Sequence, residues 1–275
     1  MIRILVDSSA DIDTKNRKEI SLIPLTVTIG GRDYLDGVDL DKNEFYDLLV
    51  GGNEFPKTSQ PTPQAFVEIF EEVKNKGDEL IYFSISSELS GTYQSALIAK
   101  GMVDYNEIYI IDTKSVSHGI ALLAEYAEKL RKEGFKAAEI AEKTEILRNK
   151  IRIIAGVDTL QYLYKGGRLS RGAATVGEMA GIKPIIEVTE GKVEVIGKTL
   201  GKGKAIQSII KSLSNIERDK DFPLYFVFTY GEENCVELEE KLRQTDYNDG
   251  ERRQIGSAIG AHVGPGAYGV IFIEK

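Results

Sequence analysis

Hydroxyl side chains concentrate in two loops of the N-terminal half, each just before a predicted helix. The first loop is Thr58-Ser59-Gln60-Pro61-Thr62, and the second runs from Ser84 through Ser90 to Thr92. Hydroxyls and free backbone N–H groups at a helix start form a ready site for an anion. Alternatively, Thr62 and Ser90 are ordinary helix caps, a common use of these residue types. Because both loops are expected to follow strand ends of a parallel sheet, where ligands tend to sit, we favour binding.

Two glycine-rich segments of the C-terminal half could complete such a site. Lys165-Gly166-Gly167-Arg168 places an arginine beside glycines, which would let a charged head group approach closely, and Ala261-His262-Val263-Gly264-Pro265-Gly266 presents a histidine. Alternatively, the glycines end a helix and Arg168 is a solvated charge. His262 could equally be a packed, hydrogen-bonded core histidine. The residues alone therefore predict a hydroxyl-lined anion site in a cleft between two domains.

Other common functional motifs are absent from the sequence or stand in the wrong sequence context. Residues 264–269 fit the pattern G-x-G-x-x-G, but they lead into a predicted strand, whereas a dinucleotide-binding loop must open a helix. Gly201-Lys202-Gly203-Lys204 lacks the spacing and the Ser/Thr of a phosphate-binding P-loop. The sequence contains no G-x-S-x-G motif, so nothing supports a serine hydrolase of that type.

Charge and cysteine content exclude further classes of protein. The 275 residues include 35 basic and 43 acidic side chains, a formal net charge of −8, which argues against a nucleic-acid-binding surface. One cysteine, Cys235, cannot form an internal disulfide or a multi-thiolate metal site, and two histidines cannot build a His-rich metal centre. We therefore expect no metal and no cofactor. The N-terminal residues do not resemble a signal peptide and the apolar runs are strand-sized, so we expect a cytoplasmic protein with no integral membrane segment.

The hydroxyl loops must be positioned by alternating strands and helices in the N-terminal half. Strands are expected at residues 2–6, 20–29, 80–85 and 107–112, and helices at 41–49, from 62, and at 91–100, 120–132 and 137–150. Asp41 followed by Glu44 resembles a capping box, and Thr62-Pro63 is a typical helix start. This alternation predicts an α/β unit with a mostly parallel, doubly wound sheet.

The pattern changes near residue 151. Residues 182–188 and 193–198 flank a predicted hairpin turn, with further strands expected at 224–228, 255–258 and 270–273 and helices at 205–213 and 236–242. This order is typical of an α+β unit with a largely antiparallel sheet. We therefore expect two domains, residues 1–150 with the hydroxyl loops and 151–275 with the Gly-Gly-Arg and His-Val-Gly-Pro-Gly loops, and a ligand between them.

The loops, in this order, resemble the DegV family of bacterial fatty-acid-binding proteins. The resemblance runs from near residue 2 to near residue 273. The matching segments are Asp7-Ser8-Ser9-Ala10-Asp11, Thr58-Ser59-Gln60-Pro61, Leu89-Ser90-Gly91-Thr92-Tyr93-Gln94-Ser95-Ala96, Tyr162-Leu163-Tyr164-Lys165-Gly166-Gly167-Arg168, Lys183-Pro184 and His262-Val263-Gly264-Pro265-Gly266.

This resemblance implies a non-enzymatic carrier, the binding subunit of a fatty acid kinase system. The carrier would bury one long-chain fatty acid, such as palmitate, stearate or oleate, and present it to a separate kinase. That kinase would convert the carboxylate to an acyl phosphate for phospholipid synthesis. By match to the family motifs, the residues implied are Thr58 and Ser90 for the carboxylate, Arg168 and His262 for the head group or the kinase step, and Ser59, Gly91 and Thr92 in support.

The chain departs from the family pattern at one position. Members often carry a basic residue near Lys198-Thr199-Leu200-Gly201, where an arginine would assist the kinase step. Here Leu200 occupies that position, with Lys198 and Lys202 nearby. Fatty acid carriage should survive this change, whereas efficient partnership with a kinase is put in question.

Three other functions stay open. An acyl transferase or hydrolase would use Ser90 as nucleophile and His262 as base, but the loop after His262 supplies no carboxylate to orient the histidine. A lipid-responsive sensor would use the ligand only to set its conformation. In the third case, side chains would fill the cavity and the protein would bind nothing.

Overall fold

The computed structural model describes residues 1–13, 19–52, 54–170 and 181–275. The strands are β1 (Ile2–Asp7), β2 (Ile20–Ile23), β3 (Thr26–Ile29), β4 (Arg32–Leu35), β5 (Lys57–Ser59), β6 (Glu79–Ser84), β7 (Ile108–Asp112), β8 (Ile151–Gly156), β9 (Ile182–Thr189), β10 (Lys192–Leu200), β11 (Tyr225–Phe228), β12 (Glu251–Gln254) and β13 (Tyr268–Ile273). The helices are α1 (Lys42–Gly51), α2 (Pro63–Lys76), α3 (Thr92–Val103), α4 (His118–Lys132), α5 (Ala137–Leu147), α6 (Gln161–Lys165), α7 (Lys202–Leu213), α8 (Glu233–Leu242) and α9 (Ser257–Val263).

The N-terminal half contains the expected parallel sheet. Its order is β2-β1-β6-β7, and all neighbouring strands are parallel. Alternate residues of β1 pack on opposite faces: Ile4 and Val6 against α4 and α5, and Leu5 against α2 and α3. The doubly wound arrangement is therefore confirmed. Asp41 is confirmed as the N-cap of α1, because its side chain accepts a hydrogen bond from the Glu44 N–H.

The C-terminal sheet is mostly antiparallel, as expected. Its order is β10-β9-β8-β13-β11-β12, and among these pairs β11–β12 is parallel. The predicted β9–β10 hairpin forms. Helices α7 and α8 cover one face of the sheet. The opposite face packs toward the N-terminal half, where Ile153, Tyr225 and Ile271 join the same apolar cluster as helix α4.

The expected single strand at residues 20–29 is wrong, because it divides at Pro24-Leu25 into two strands of different sheets. β2 joins the parallel sheet, whereas β3 lies at the centre of a three-stranded sheet of order β4-β3-β5. Both pairs in this third sheet are antiparallel. Proline has no N–H to donate to a sheet, which favours a break there. The Leu25 N–H instead donates to Ser8 Oγ at 3.0 Å.

The third sheet also corrects the placement of the first hydroxyl loop. Thr58 does not follow a strand of the parallel sheet; it lies within β5, opposite Val27 of β3. The sequence did not indicate this strand, because β5 has three residues and little apolar character. Thr62, in contrast, is an ordinary helix cap, since its Oγ1 accepts from the Ala65 N–H at 3.3 Å.

The expected strand at residues 255–258 is also wrong. The strand lies earlier, at β12, and helix α9 begins at Ser257. β12 was missed because its sequence, Glu251-Arg252-Arg253-Gln254, is polar, which suits the edge of a sheet. The helix begins there because tertiary contacts cap it: Asp11 Oδ1 accepts from the Gly256 N–H at 2.8 Å, and Asp36 Oδ1 accepts from the Ser257 hydroxyl at 2.5 Å.

The division of the chain near residue 150 stays a prediction. β8 begins at Ile151 and pairs with the later strands β9 and β13. Helix α9, however, packs against α1, β3 and β5 of the N-terminal half. Along the stretches of chain that the structure describes, no helix combines the length and apolar character needed to cross a membrane.

The Asp11→Asn variant should lose part of the protein's pH dependence of stability. Burial raises the pKa of Asp11 from 3.8 to about 7 against the opposing effect of Lys42, so the folded state binds this proton more tightly than the unfolded chain does. The contribution of Asp11 to the free energy of unfolding is therefore fully present below pH about 4 and is lost as the pH rises to about 7. Urea unfolding between pH 5 and 8 should show a shallower fall for the variant, by up to about 1.4 kcal/mol per pH unit. Parallel curves for the two proteins would contradict this assignment.

Candidate functional site

A deep cavity lies between the C-terminal sheet and the hydroxyl loops of the N-terminal half. About 850 Å³ of empty space, counted with the opening to solvent, lies between its walls. Its long walls are apolar. Ile153 and Ala155 of β8 face it, as does Val157 just after that strand, and neighbouring strands contribute Ile186 and Ile271. Such a cavity suits an extended hydrocarbon.

The polar groups of the cavity come from both halves of the chain. Thr58, Ser90, Arg168 and His262, all expected from the sequence, line the same cavity. Two of these groups contact each other across the halves, through a hydrogen bond of 2.8 Å between Thr58 Oγ1 and His262 Nε2. Strand β5 supplies the threonine, and α9, held by Asp11 and Asp36, supplies the histidine.

His262 is uncharged at neutral pH in this site. Burial, with the nearby positive charge of Arg168, lowers the pKa of His262 from 6.5 to about 4. A neutral imidazole has one N–H, so Nε2 can either donate to or accept from the Thr58 hydroxyl, depending on the tautomer. The other ring nitrogen, Nδ1, is buried and has no hydrogen-bond partner among the described residues. The histidine therefore acts here as a neutral polar group.

Ser90 precedes α3 without being its N-cap. The N-cap is Gly91, which has no side chain to offer. Ser90 Oγ instead lies 2.8 Å from Thr92 Oγ1 and accepts a 3.3 Å bond from the Thr92 N–H. Thr92 is fully buried, and neither it nor Gly91 is among the residues that line the cavity. Thr92 therefore contacts the Ser90 hydroxyl without lining the cavity itself.

Arg168 joins the C-terminal loop to the loop of Ser90. Its Nε donates to the main-chain oxygen of Leu89 at 2.9 Å, and Nη1 donates to the main-chain oxygen of Gly166. Burial lowers the pKa of the guanidinium below its usual range. The alternative of a freely solvated charge is therefore wrong: Arg168 is half-buried and fixes the residue next to Ser90.

Ser59 and Leu200 lie away from the cavity. Ser59 is exposed and follows Thr58 on β5, so its side chain points to the opposite face of the strand. Leu200 ends β10, and 64% of it is exposed. The departure from the family pattern is thus a surface feature.

The sequence analysis did not single out four buried polar residues at the cavity, Asp7, Ser9, Asp11 and Ser117, as site residues. Ser9 and Ser117 also line the cavity, and their hydroxyls donate to the carboxylates of Asp7 and Asp11. Asp7 is fully buried and accepts from the Ile85 N–H at 2.8 Å and from a tyrosine hydroxyl. Burial raises the pKa of Asp7. The sequence carried a signal for Asp7 and Ser9, since Asp7-Ser8-Ser9 lies at the end of the buried strand β1.

Within the described part of the chain, no group of three or more His, Cys, Asp or Glu side chains is arranged to hold a metal ion. The site as described offers hydroxyls, a neutral imidazole and a guanidinium next to an apolar cavity. It can hold an amphipathic molecule with a small polar head.

Comparison with known proteins gives the same family along the whole length. Residues 1–275 match the family described as "Uncharacterised protein, DegV family". A DegV domain-containing protein of Caldanaerobacter subterraneus subsp. tengcongensis is 40% identical over 278 residues, covering 100% of this chain and 99% of the relative. A similar protein of Clostridium acetobutylicum is 34% identical, with the same coverage.

Solved structures of similar proteins share the fold. A fatty-acid-binding DegV family protein from Thermus thermophilus has a TM-score of 0.89 at 28% identity, and DegV of Bacillus subtilis, a fatty acid binding protein, has 0.85 at 29%. A stearic acid-binding protein from Eubacterium ventriosum has 0.86 at 28%. Each comparison covers 100% of this chain and 99% of the other protein. Since the family match spans every residue and a relative is 40% identical along the chain, this protein belongs to the DegV family.

Proposed function

We propose that this protein binds one long-chain fatty acid, with the tail in the apolar cavity and the carboxylate at Thr58 and Ser90. The observation that carries the proposal is the cavity itself, whose lining is mostly apolar and includes the polar groups of Thr58, Ser90, Arg168 and His262. The solved relatives described as binding fatty acids, including stearic acid, support the ligand class.

The tail would supply most of the affinity. Burying fifteen methylenes at about 0.8 kcal/mol each yields roughly 12 kcal/mol before the costs of ordering. The head group then needs orientation more than charge. If His262 carries its proton on Nε2, it donates to Thr58 Oγ1, and the threonine hydroxyl proton is free to bond a carboxylate oxygen.

The same polar side chains suit the presentation of the bound carboxylate to a fatty acid kinase. Hydroxyl donors leave carboxylate oxygens free to act as nucleophiles, whereas a bidentate arginine would hold both. In this structure Arg168 donates to main-chain oxygens of Leu89 and Gly166. We infer that it orders the Ser90 loop and that the protein is the carrier, with a separate kinase supplying catalysis.

The serine-nucleophile alternative fits the contacts less well. The hydrogen bond of His262 goes to Thr58, and the hydroxyl near Ser90 Oγ is that of Thr92. A catalytic histidine needs a third group to orient its ring, yet Nδ1 is buried without a hydrogen-bond partner among the described residues.

Removing either head-group hydroxyl should weaken fatty acid binding. Thr58→Ala or Ser90→Ala removes one hydrogen bond to a charged group, worth about 1.5–3 kcal/mol. Titration calorimetry with palmitate measures the change. Ser214→Ala, which alters an exposed hydroxyl at the end of α7, is the control and should bind as the wild type does. Unchanged affinity in both head-group variants would overturn the assignment.

Filling the cavity should block the tail. Ala155→Phe places a ring where β8 faces the cavity, so stearate would lose the contacts of several methylenes and bind at least about tenfold more weakly. Mass spectrometry of lipid extracted from the purified variant, with stearate titration, measures the loss. Thermal unfolding of the lipid-free variant checks that it is folded. Stoichiometric stearate in a folded variant would place the tail elsewhere.

Arg168→Ala and His262→Ala should reduce kinase-coupled turnover more than binding, because these residues set the geometry around the carboxylate. An acyl-phosphate assay with a bacterial fatty acid kinase, compared with palmitate calorimetry on the same variants, separates the two effects. Wild-type rates of acyl-phosphate formation in both variants would exclude the role.

A further inference from the structure

A glutamine ties together the two loops that carry Thr58 and Ser90. Thr58 lies on β5 of the three-stranded sheet, whereas Ser90 follows β6 of the parallel sheet. Gln60 bridges the two: its Nε2 donates to the main-chain oxygen of Gly91 at 3.2 Å and to Ser95 Oγ at 2.8 Å. The bridge therefore begins two residues after Thr58 and ends one residue after Ser90.

The bridge requires a glycine at position 91. A Cβ on Gly91 would lie 2.3 Å from Gln60 Oε1 and 2.9 Å from Nε2, closer than atoms can approach. The backbone of Gly91 has φ −75° and ψ 6°, which other residues can adopt. The close packing of the Gln60 amide thus accounts for the glycine, and backbone strain does not.

We propose that Gln60 is a positioning residue of the head-group site, an inference that rests on the proposed fatty acid function. It sets the separation of the Thr58 and Ser90 hydroxyls, so that both reach one carboxylate at hydrogen-bond length. Hydrogen bonds weaken steeply outside a narrow range of distance and angle, so a small shift of β5 relative to the Ser90 loop would lose one of them.

Gln60 affects the contacts of the carboxylate and does not contact the hydrocarbon tail. Its side chain is exposed and is not among the residues that line the cavity. Removing its amide leaves every apolar wall residue in place. The loss should therefore fall on ligands with a carboxylate and spare ligands that present the same chain without one.

A competition between hexadecanoic acid and hexadecan-1-ol tests this separation. Wild-type and Gln60→Ala protein are equilibrated with an equimolar mixture, and the bound acid and alcohol are extracted and quantified by mass spectrometry. The ratio of bound acid to alcohol should fall about three- to tenfold in the variant, the effect of one weakened hydrogen bond. Gln207→Ala, an exposed glutamine on α7, is the matched control and should keep the wild-type ratio.

A double-mutant cycle identifies the contact itself. Gly91→Ala should lower the acid-to-alcohol ratio because the new methyl displaces the Gln60 amide. In a Gln60→Ala background that clash is gone, so adding Gly91→Ala should cause little further loss.

Two outcomes would overturn the inference while leaving the fatty acid function standing. One is an unchanged ratio in Gln60→Ala, or equal loss of acid and alcohol, which would mark a merely structural role. The other is a Gly91→Ala effect of the same size in both backgrounds. If wild-type protein takes up neither hexadecanoic acid nor the alcohol, the proposed function fails as well, and this failure appears without any substitution.

Discussion

Two buried carboxylates of the N-terminal half, those of Asp11 and Asp36, accept hydrogen bonds from the start of α9 in the C-terminal half. α9 has seven residues, too few to be stable alone, and the first N–H groups of any helix lack partners within it. The capping carboxylates and the packing of α9 on β3 and β5 therefore fix its position. The hydrogen bond between His262 and Thr58 depends on that placement.

The cavity is a gap in the main apolar core and not a separate groove. Ile153, Val227 and Ile271 belong to the cluster that packs against α4 and also line the cavity. Apolar side chains beside unfilled space lose dispersion contacts, so an apolar occupant of the right shape would restore them. This physical reason links the packing of the two halves to the ligand class seen in the solved relatives.

The polar end of the cavity is arranged to orient a ligand and offers little free charge. Burial keeps His262 neutral, and two main-chain oxygens occupy donors of Arg168. Hydroxyls are left as the groups best placed to contact a carboxylate. In the proposed binding mode the hydrocarbon would supply most of the affinity, and the hydroxyls would determine which end of the ligand faces outward.

Local sequence patterns were enough to predict the two types of sheet, most helices and the identity of the polar loops. These features depend on residues close together in the sequence: the strand–helix alternation, the caps at Asp41 and Thr62, and the β9–β10 hairpin. Tertiary packing does not change such local preferences here, so the predictions hold. Three features could not be predicted in this way: Thr58 lies in a short third sheet, α9 replaces an expected strand, and Arg168 donates to main-chain oxygens. Each of these depends on partners far away in the sequence: β3 for β5, Asp11 for α9, and Leu89 for Arg168. Residue spacing carries no information about such contacts, because they form only when segments distant in the sequence pack together.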